Sequence, residues 1–138
     1  MDLYHGTNIN NANEITSGNI STDFGGGELG KGFYIGDLPH EAFSWAWHQY
    51  KTDKCVVKLI IEDNDVLNQN PLCLNYEETC VNRNRIRAER TTRTFIFKRN
   101  IIWAPVVGKN IPNFSQLKIE SKLAENLVNS DAVIKSIV

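Results

Sequence analysis

What the chain has little of narrows it first. Its three cysteines, Cys55, Cys73 and Cys80, are odd in number and form no C-x-x-C pair, so neither a disulfide framework nor a structural zinc is expected, and a reducing compartment is the default. Net charge is nearly absent: 15 basic against 16 acidic residues leave −1, too little for a global field toward nucleic acid or membrane. Long apolar runs are missing as well. IIWAPVV at 101–107 is far shorter than the roughly 20 residues that span a bilayer, and MDLYHGT has no basic region leading into an apolar one. A cytoplasmic protein without membrane contact is therefore expected. Two catalytic signatures also fail. His40-Glu41 opens a helical pattern as a zincin motif does, but Ser44 stands where the second histidine must fall, and no Ser or Cys sits in a G-x-S-x-G elbow. No metal site is expected.

What is present describes one ordinary domain over residues 1–138. The 41% hydrophobic and 22% charged fractions are globular values, and a chain of this length buries about two-thirds of its unfolded surface. LYH at 3–5 reads as an opening strand, and NNANEITSGNIS as a poor helix ending at Gly18. FYIG at 33–36 reads as a strand. Asp37 would cap a helix with Pro39 near its first position, and HEAFSWAWHQY, apolar on more than one side, is expected to be buried. CVVKLIIED at 55–63 is a strand. Residues 64–80 show no clear period, IRAERTTRTFIF reads as a helix running into a strand, and NIIWAPVVG as a strand stopped by Pro105. SQLKIES is the last strand candidate, with Leu117 and Ile119 on one face and Gln116, Lys118 and Glu120 on the other, before an amphipathic segment from 122 onward.

The densest feature is FGGGELGKGFY at 24–34, which holds five of the nine glycines. It formally satisfies G-x-G-x-x-G and most of a P-loop. Both readings fail on context, because a strand pattern rather than a helix follows and Gly32 replaces the Ser or Thr that would hold magnesium. A second feature lies between Val81 and Asn100, where six arginines (83, 85, 87, 90, 93, 99) and Lys98 face Glu89 alone. It reads either as a solvated basic face or as a platform for an anionic partner.

LYHGT, then GKGFY, then an aromatic Trp45 eleven residues after Tyr34, resembles the diphtheria-toxin and poly(ADP-ribose) polymerase branch of the ADP-ribosyltransferase superfamily. The likeness is closer to small uncharacterised bacterial ADP-ribosyltransferase-like domains that carry YHG, D-F-G-K-G-F-Y and A-x-x-W-A. Tyr4 to Gly6, Gly30 to Tyr34, and Ala42, Trp45 and Ala46 match, while Glu28 and Leu29 replace Asp-Phe and Gly36 stands where a small hydroxyl residue is usual. The resemblance implies an α+β fold, two small sheets forming a split core with NAD in the cleft and helices at its flanks. It implies mono-ADP-ribosyl transfer from NAD, as co-substrate, to a protein or nucleic acid, by a bacterial toxin or effector.

By the same resemblance His5, Gly6, Thr7, Tyr34, Ala42 and Trp45 bind NAD, and His5, Tyr34 and Gln116 are catalytic. His5 would hold ribose hydroxyls, Gly6 would offer its backbone to the carboxamide, and Tyr34 and Trp45 would sandwich the nicotinamide ring. The superfamily has Glu at the start of the late strand. Gln116 takes that place here, so single ADP-ribose additions are expected; Glu120 is about 13 Å further along the strand and its loss should matter little. Glu28 and Glu89 are the next carboxylates to consider. The stretch Arg83–Arg99 is the candidate surface for an acidic antitoxin or immunity partner. NAD hydrolysis and a degenerate, non-catalytic binding domain are the alternatives.

Overall fold

The computed structural model describes residues 1–108 and 113–138. In chain order its elements are β1 (Asp2–Asn8), α1 (Ile9–Thr16), β2 (Gly26–Gly27), β3 (Gly30–Lys31), β4 (Phe33–Gly36), α2 (Pro39–Tyr50), a 3-10 turn at Lys51–Asp53, and β5 (Lys54–Ile60). Then follow α3 (Asp63–Asn68), β6 (Leu72–Cys73), α4 (Tyr76–Ala88), β7 (Ile101–Pro105), β8 (Ser115–Ile119), α5 (Lys122–Asn129) and β9 (Ile134–Ile137). The fold is α+β. Seven strands form one sheet in the order β6-β7-β8-β4-β1-β5-β9, antiparallel except for β6 with β7, and β2 and β3 form a separate hairpin.

The expected two small sheets are thus joined, but narrowly. β1 pairs with β5 along its whole length, from Asp2↔Ile60 to Asn8↔Lys54, whereas among the described residues its register with β4 is the single pair Tyr4↔Gly36. The sheet has a waist there, with β1, β5 and β9 on one side and β4, β8, β7 and β6 on the other.

Strand alternation fixes what each face buries. Leu3, Phe33, Ile35, Val57, Leu59, Leu117 and Ile119 point to one face, where Ala12 and Ile15 of α1, Val66 of α3 and Ala124 and Val128 of α5 cover them. On the opposite face Ile102 and Ala104 pack with Leu29, Tyr34, Leu72, Leu74 and Phe97. α2 lies on this second face, against β1 and β5.

Several local expectations change. α2 buries only Ala46 fully, while Phe43, Trp45 and Trp47 are exposed, because the helix settles on β1 through its small residues and its outer side carries no further layer. Its N-cap is Leu38; Asp37 instead continues the β4–β8 ladder, exchanging backbone and carboxylate hydrogen bonds with Ser115. The helix expected around 86–90 begins earlier, at Tyr76, under a capping box between Asn75 and Glu78, and residues 91–97 are irregular rather than strand. The C-terminal amphipathic segment is a helix followed by an edge strand.

Candidate functional site

His5 lies at the waist. Its Nδ1–H donates to the Tyr34 carbonyl at 2.7 Å, and its ring sits 4.4 Å from that of Phe33. That bond spans β1 and β4 beside their single registered pair, and it fixes the tautomer, since only a protonated Nδ1 can donate to a carbonyl. Nε2 is then an acceptor. Burial holds the His5 pKa below the ordinary imidazole value, so the ring is neutral at pH 7. A neutral acceptor of this kind suits a hydroxyl group.

Gly6 and Thr7 continue β1. A Cβ at Gly6 would run into the Ala42 carbonyl oxygen and come within 3.2 Å of the Ala46 methyl, so the absent side chain lets α2 descend onto the strand. Ala42 is brought against Gly6 by its backbone, so the space over Gly6 is taken by the helix. Thr7 is buried, paired with Cys55. Trp45, one residue before Ala46, is 52% exposed and touches Tyr50 edge-on at 6.0 Å, which leaves an indole available for stacking.

Tyr34 occupies the second face of β4, and the glycine segment covers it. β2 and β3 form a tight hairpin whose tip is Glu28-Leu29; Gly30, at φ +93°, takes the left-handed turn that lets the chain reverse. A Cβ at Gly27 would stand 2.8 Å from the Tyr34 ring. Three consecutive hairpin residues each receive one side-chain donor from the sheet below. Glu28 Oε1 accepts from Gln116 Nε2 at 2.8 Å, the Leu29 carbonyl from Lys118 Nζ at 2.8 Å, and the Gly30 carbonyl from the Tyr34 hydroxyl at 2.5 Å. The bare backbone therefore approaches protein: Tyr34 beneath it, and Thr92 and Phe95 beside it, whose carbonyls accept from Gly27 N–H and Lys31 N–H. Burial raises the Tyr34 pKa well above the phenol range, so its hydroxyl stays a donor.

β8 supplies the third sequence-marked residue. Gln116 is flanked across the sheet by Gly36 of β4 and Ala104 of β7, so it stands over a strip with no bulky neighbour. The polar face of this strand is not solvated. Lys118 is fully buried, its ammonium 2.6 Å from Glu120 Oε2 and 5.1 Å from the centre of the Phe97 ring, and Glu120 also accepts from the backbone N–H groups of Phe97 and Arg99. Glu120 is thus an internal anchor for the 97–99 segment. Burial pulls the Lys118 pKa down, opposed by the bond to Glu120.

The arginine stretch divides. Arg83 Nε is 3.2 Å from Glu28 Oε2, Arg85 stacks its guanidinium 4.9 Å from the Phe95 ring centre, and Arg99 donates to the Asn70 carbonyl at 3.0 Å. Arg87, Arg90 and Arg93 remain exposed.

His5, Tyr34 and Gln116 consequently sit on three adjacent strands, β1, β4 and β8, joined by His5 to the Tyr34 backbone. Trp45 stands apart from them on α2. Of two surface concavities, one of about 340 Å³ is lined by Cys73, Leu74, Trp103, Ala104, Pro105 and Ser115 and one of about 350 Å³ by Pro39, His40, Phe43, Val56 and Val138; none of His5, Tyr34, Gln116 and Trp45 lines either. Among the described residues no His, Cys, Asp and Glu cluster could hold a metal, and no helix is long and apolar enough to cross a membrane. Sequence reasoning missed the Lys118 anchor and the direct bond of Glu28 to Gln116; the only local trace of the latter was an acidic residue at the centre of a glycine hairpin. No protein-family model matches the chain, and no curated protein matches it.

Proposed function

We propose that the chain is an NAD-dependent mono-ADP-ribosyltransferase with a split-sheet core of the ADP-ribosyltransferase type, acting on a macromolecular acceptor as a bacterial toxin or effector. One observation carries the reading. Three residues far apart in sequence, each matching a motif position of that superfamily, fall on three neighbouring strands around the one-rung waist. The donor set suits a dinucleotide: a neutral His5 Nε2 for a ribose hydroxyl, an exposed Trp45 face for the nicotinamide ring, and a Gln116 amide for a second hydroxyl.

In the reaction the bond from ribose C1′ to the nicotinamide nitrogen breaks, its electron pair neutralising the pyridinium as nicotinamide leaves. The acceptor's oxygen, nitrogen or sulfur bonds to C1′ and releases its proton. Positive charge develops on the ribose, and fixed dipoles aimed at it lower the barrier. Gln116 orients without taking the proton, so single additions follow and the acceptor must bring its own reactive nucleophile.

A specific observation favours a second reading, a binding domain without catalysis. The Tyr34 hydroxyl and one side of its ring are committed to the glycine hairpin, and Gln116 carries no charge. Calorimetric titration with NAD, followed by incubation of lysate with labelled NAD, separates the two. Binding and labelled protein or nucleic acid support transfer, free ADP-ribose alone supports hydrolysis, and absence of binding overturns both enzymatic readings. Trp45→Phe should keep most of the affinity that Trp45→Ala loses; equal loss in both would remove the stacking role.

A further inference from the structure

Gln116 raises a chemical difficulty that the hairpin resolves. An isolated amide presents a donor and an acceptor of similar size, and either end could face a ligand. Here one end is taken. Glu28 is a carboxylate, which can only accept, so the group within 2.8 Å of its Oε1 is the Gln116 NH₂, and the Gln116 Oε1 is turned the other way. The Glu28 side chain is only 20% exposed, and its second oxygen lies 3.2 Å from Arg83 Nε. That Arg83 nitrogen is buried and makes no aligned hydrogen bond, so the contact is one of charge more than direction. Arg83 comes from α4, Glu28 from the hairpin tip and Gln116 from β8. The line Arg83, Glu28, Gln116 ends over Gly36, where an added Cβ would meet nothing nearer than 3.6 Å.

From this line we infer that Glu28 is the positioning carboxylate of the site: it fixes the Gln116 amide with its oxygen outward as hydroxyl acceptor, and it supplies beside that amide the negative charge that Gln116 lacks. The inference rests on the NAD reading above and adds a residue to it. Charge and hydrogen-bonding geometry, which a single carboxylate would combine at the strand start, are divided between two chain segments. The hairpin is also held by two further side-chain bonds, Lys118 to the Leu29 carbonyl and Tyr34 to the Gly30 carbonyl, and by backbone bonds to Thr92 and Phe95.

The decisive variants keep shape and move charge. Glu28→Gln can still accept from Gln116, so the hairpin stays docked, and kcat for NAD consumption should fall about tenfold or more with KM within about twofold. Gln116→Glu places two carboxylates together and should force them to share a proton. The groups facing that pair are Arg83 from α4, Tyr34 from β4 and, along β8, Lys118 with its partner Glu120. Its thermal unfolding should therefore gain a pH dependence above the ordinary carboxylate range in addition to the one His5 gives the parent. The double variant Glu28→Gln with Gln116→Glu exchanges the roles, and should recover parental kcat and the parental pH profile of unfolding. Parental kcat in Glu28→Gln, or a double variant no better than either single one, would overturn the charge role. An unchanged pH profile in Gln116→Glu would overturn the pairing itself, and needs no NAD to read. A parent that neither binds nor consumes NAD would sink the functional reading, and the assigned role of Glu28 with it, whatever the pH profile shows.

Discussion

The two sides of the sheet's waist are built differently. On the side of β1, β5 and β9 the fit is steric: aliphatic side chains fill one face, and on the other Gly6 admits α2 to within contact of the strand. On the side of β4, β8, β7 and β6 the second face adds to its apolar cluster around Ile102 and Ala104 a set of polar side chains that reach upward to backbone carbonyls and to one another, with Lys118 fully buried among them. The first arrangement tolerates no added volume; the second tolerates no lost partner. A strand can thus look equally amphipathic in both halves and owe its stability to opposite kinds of contact.

The largest test of this contrast is Glu120→Ala. It strands the Lys118 ammonium in a buried site and frees the N–H groups of Phe97 and Arg99, which should lower unfolding free energy by about 3–5 kcal/mol in urea denaturation. That is a larger stability effect than the small one expected from sequence at Glu120, where little effect on transfer is expected. Replacing the pair together, Lys118→Met with Glu120→Gln, should cost much less; a loss under about 1 kcal/mol for Glu120→Ala alone would show that the pair is not the anchor. Next in size is Gly6→Ala. Overpacking against the Ala42 carbonyl should cost about 1–3 kcal/mol, whereas Gly36→Ala, whose methyl would meet only ordinary contacts from 3.6 Å outward, should be neutral or slightly stabilising in the same urea denaturation. Equal effects at the two glycines would erase the distinction.

The smallest effect belongs to His5, which touches both halves. Its folded pKa lies below the unfolded value near 6.5, so the unfolded chain binds the proton first. Its contribution is complete above the unfolded value and is lost as pH falls from there toward the folded pKa. His5→Ala should flatten that limb of the stability profile, and an unchanged slope below pH 6.5 would mean the ring is not held neutral.

Much of this was legible in the sequence because it is local. Short apolar stretches marked β1 and β5, alternation marked β8, Pro105 marked the end of β7, and the aromatic pair at 33–34 marked β4. The candidate residues came from the resemblance carried by YHG, GKGFY and the later Trp45, and the strand order then made neighbours of three of them. What sequence hid depends on what covers an element. Lys118 alternates with Leu117 and Ile119 as a solvent-facing lysine would, and only the hairpin and the 97–99 segment, folded over from distant parts of the chain, bury it. The aromatics of α2 looked like core because nothing local says that its outer side stays uncovered. The capping box at Asn75 and Glu78 was a readable signal for α4 that the turn-rich composition around it obscured.

The single rung Tyr4↔Gly36 has a consequence for how the molecule opens. Amide exchange in a sheet follows the smallest opening that frees each N–H, and a junction of one pair and one imidazole bond can part without unravelling the ladders on either side. The seven strands would then behave as two cooperative blocks rather than one, with the least protected amides at their common border. Anything lodged across that border would be felt first as a slowing of exchange at Tyr4 and Gly36, before either block's own stability changed.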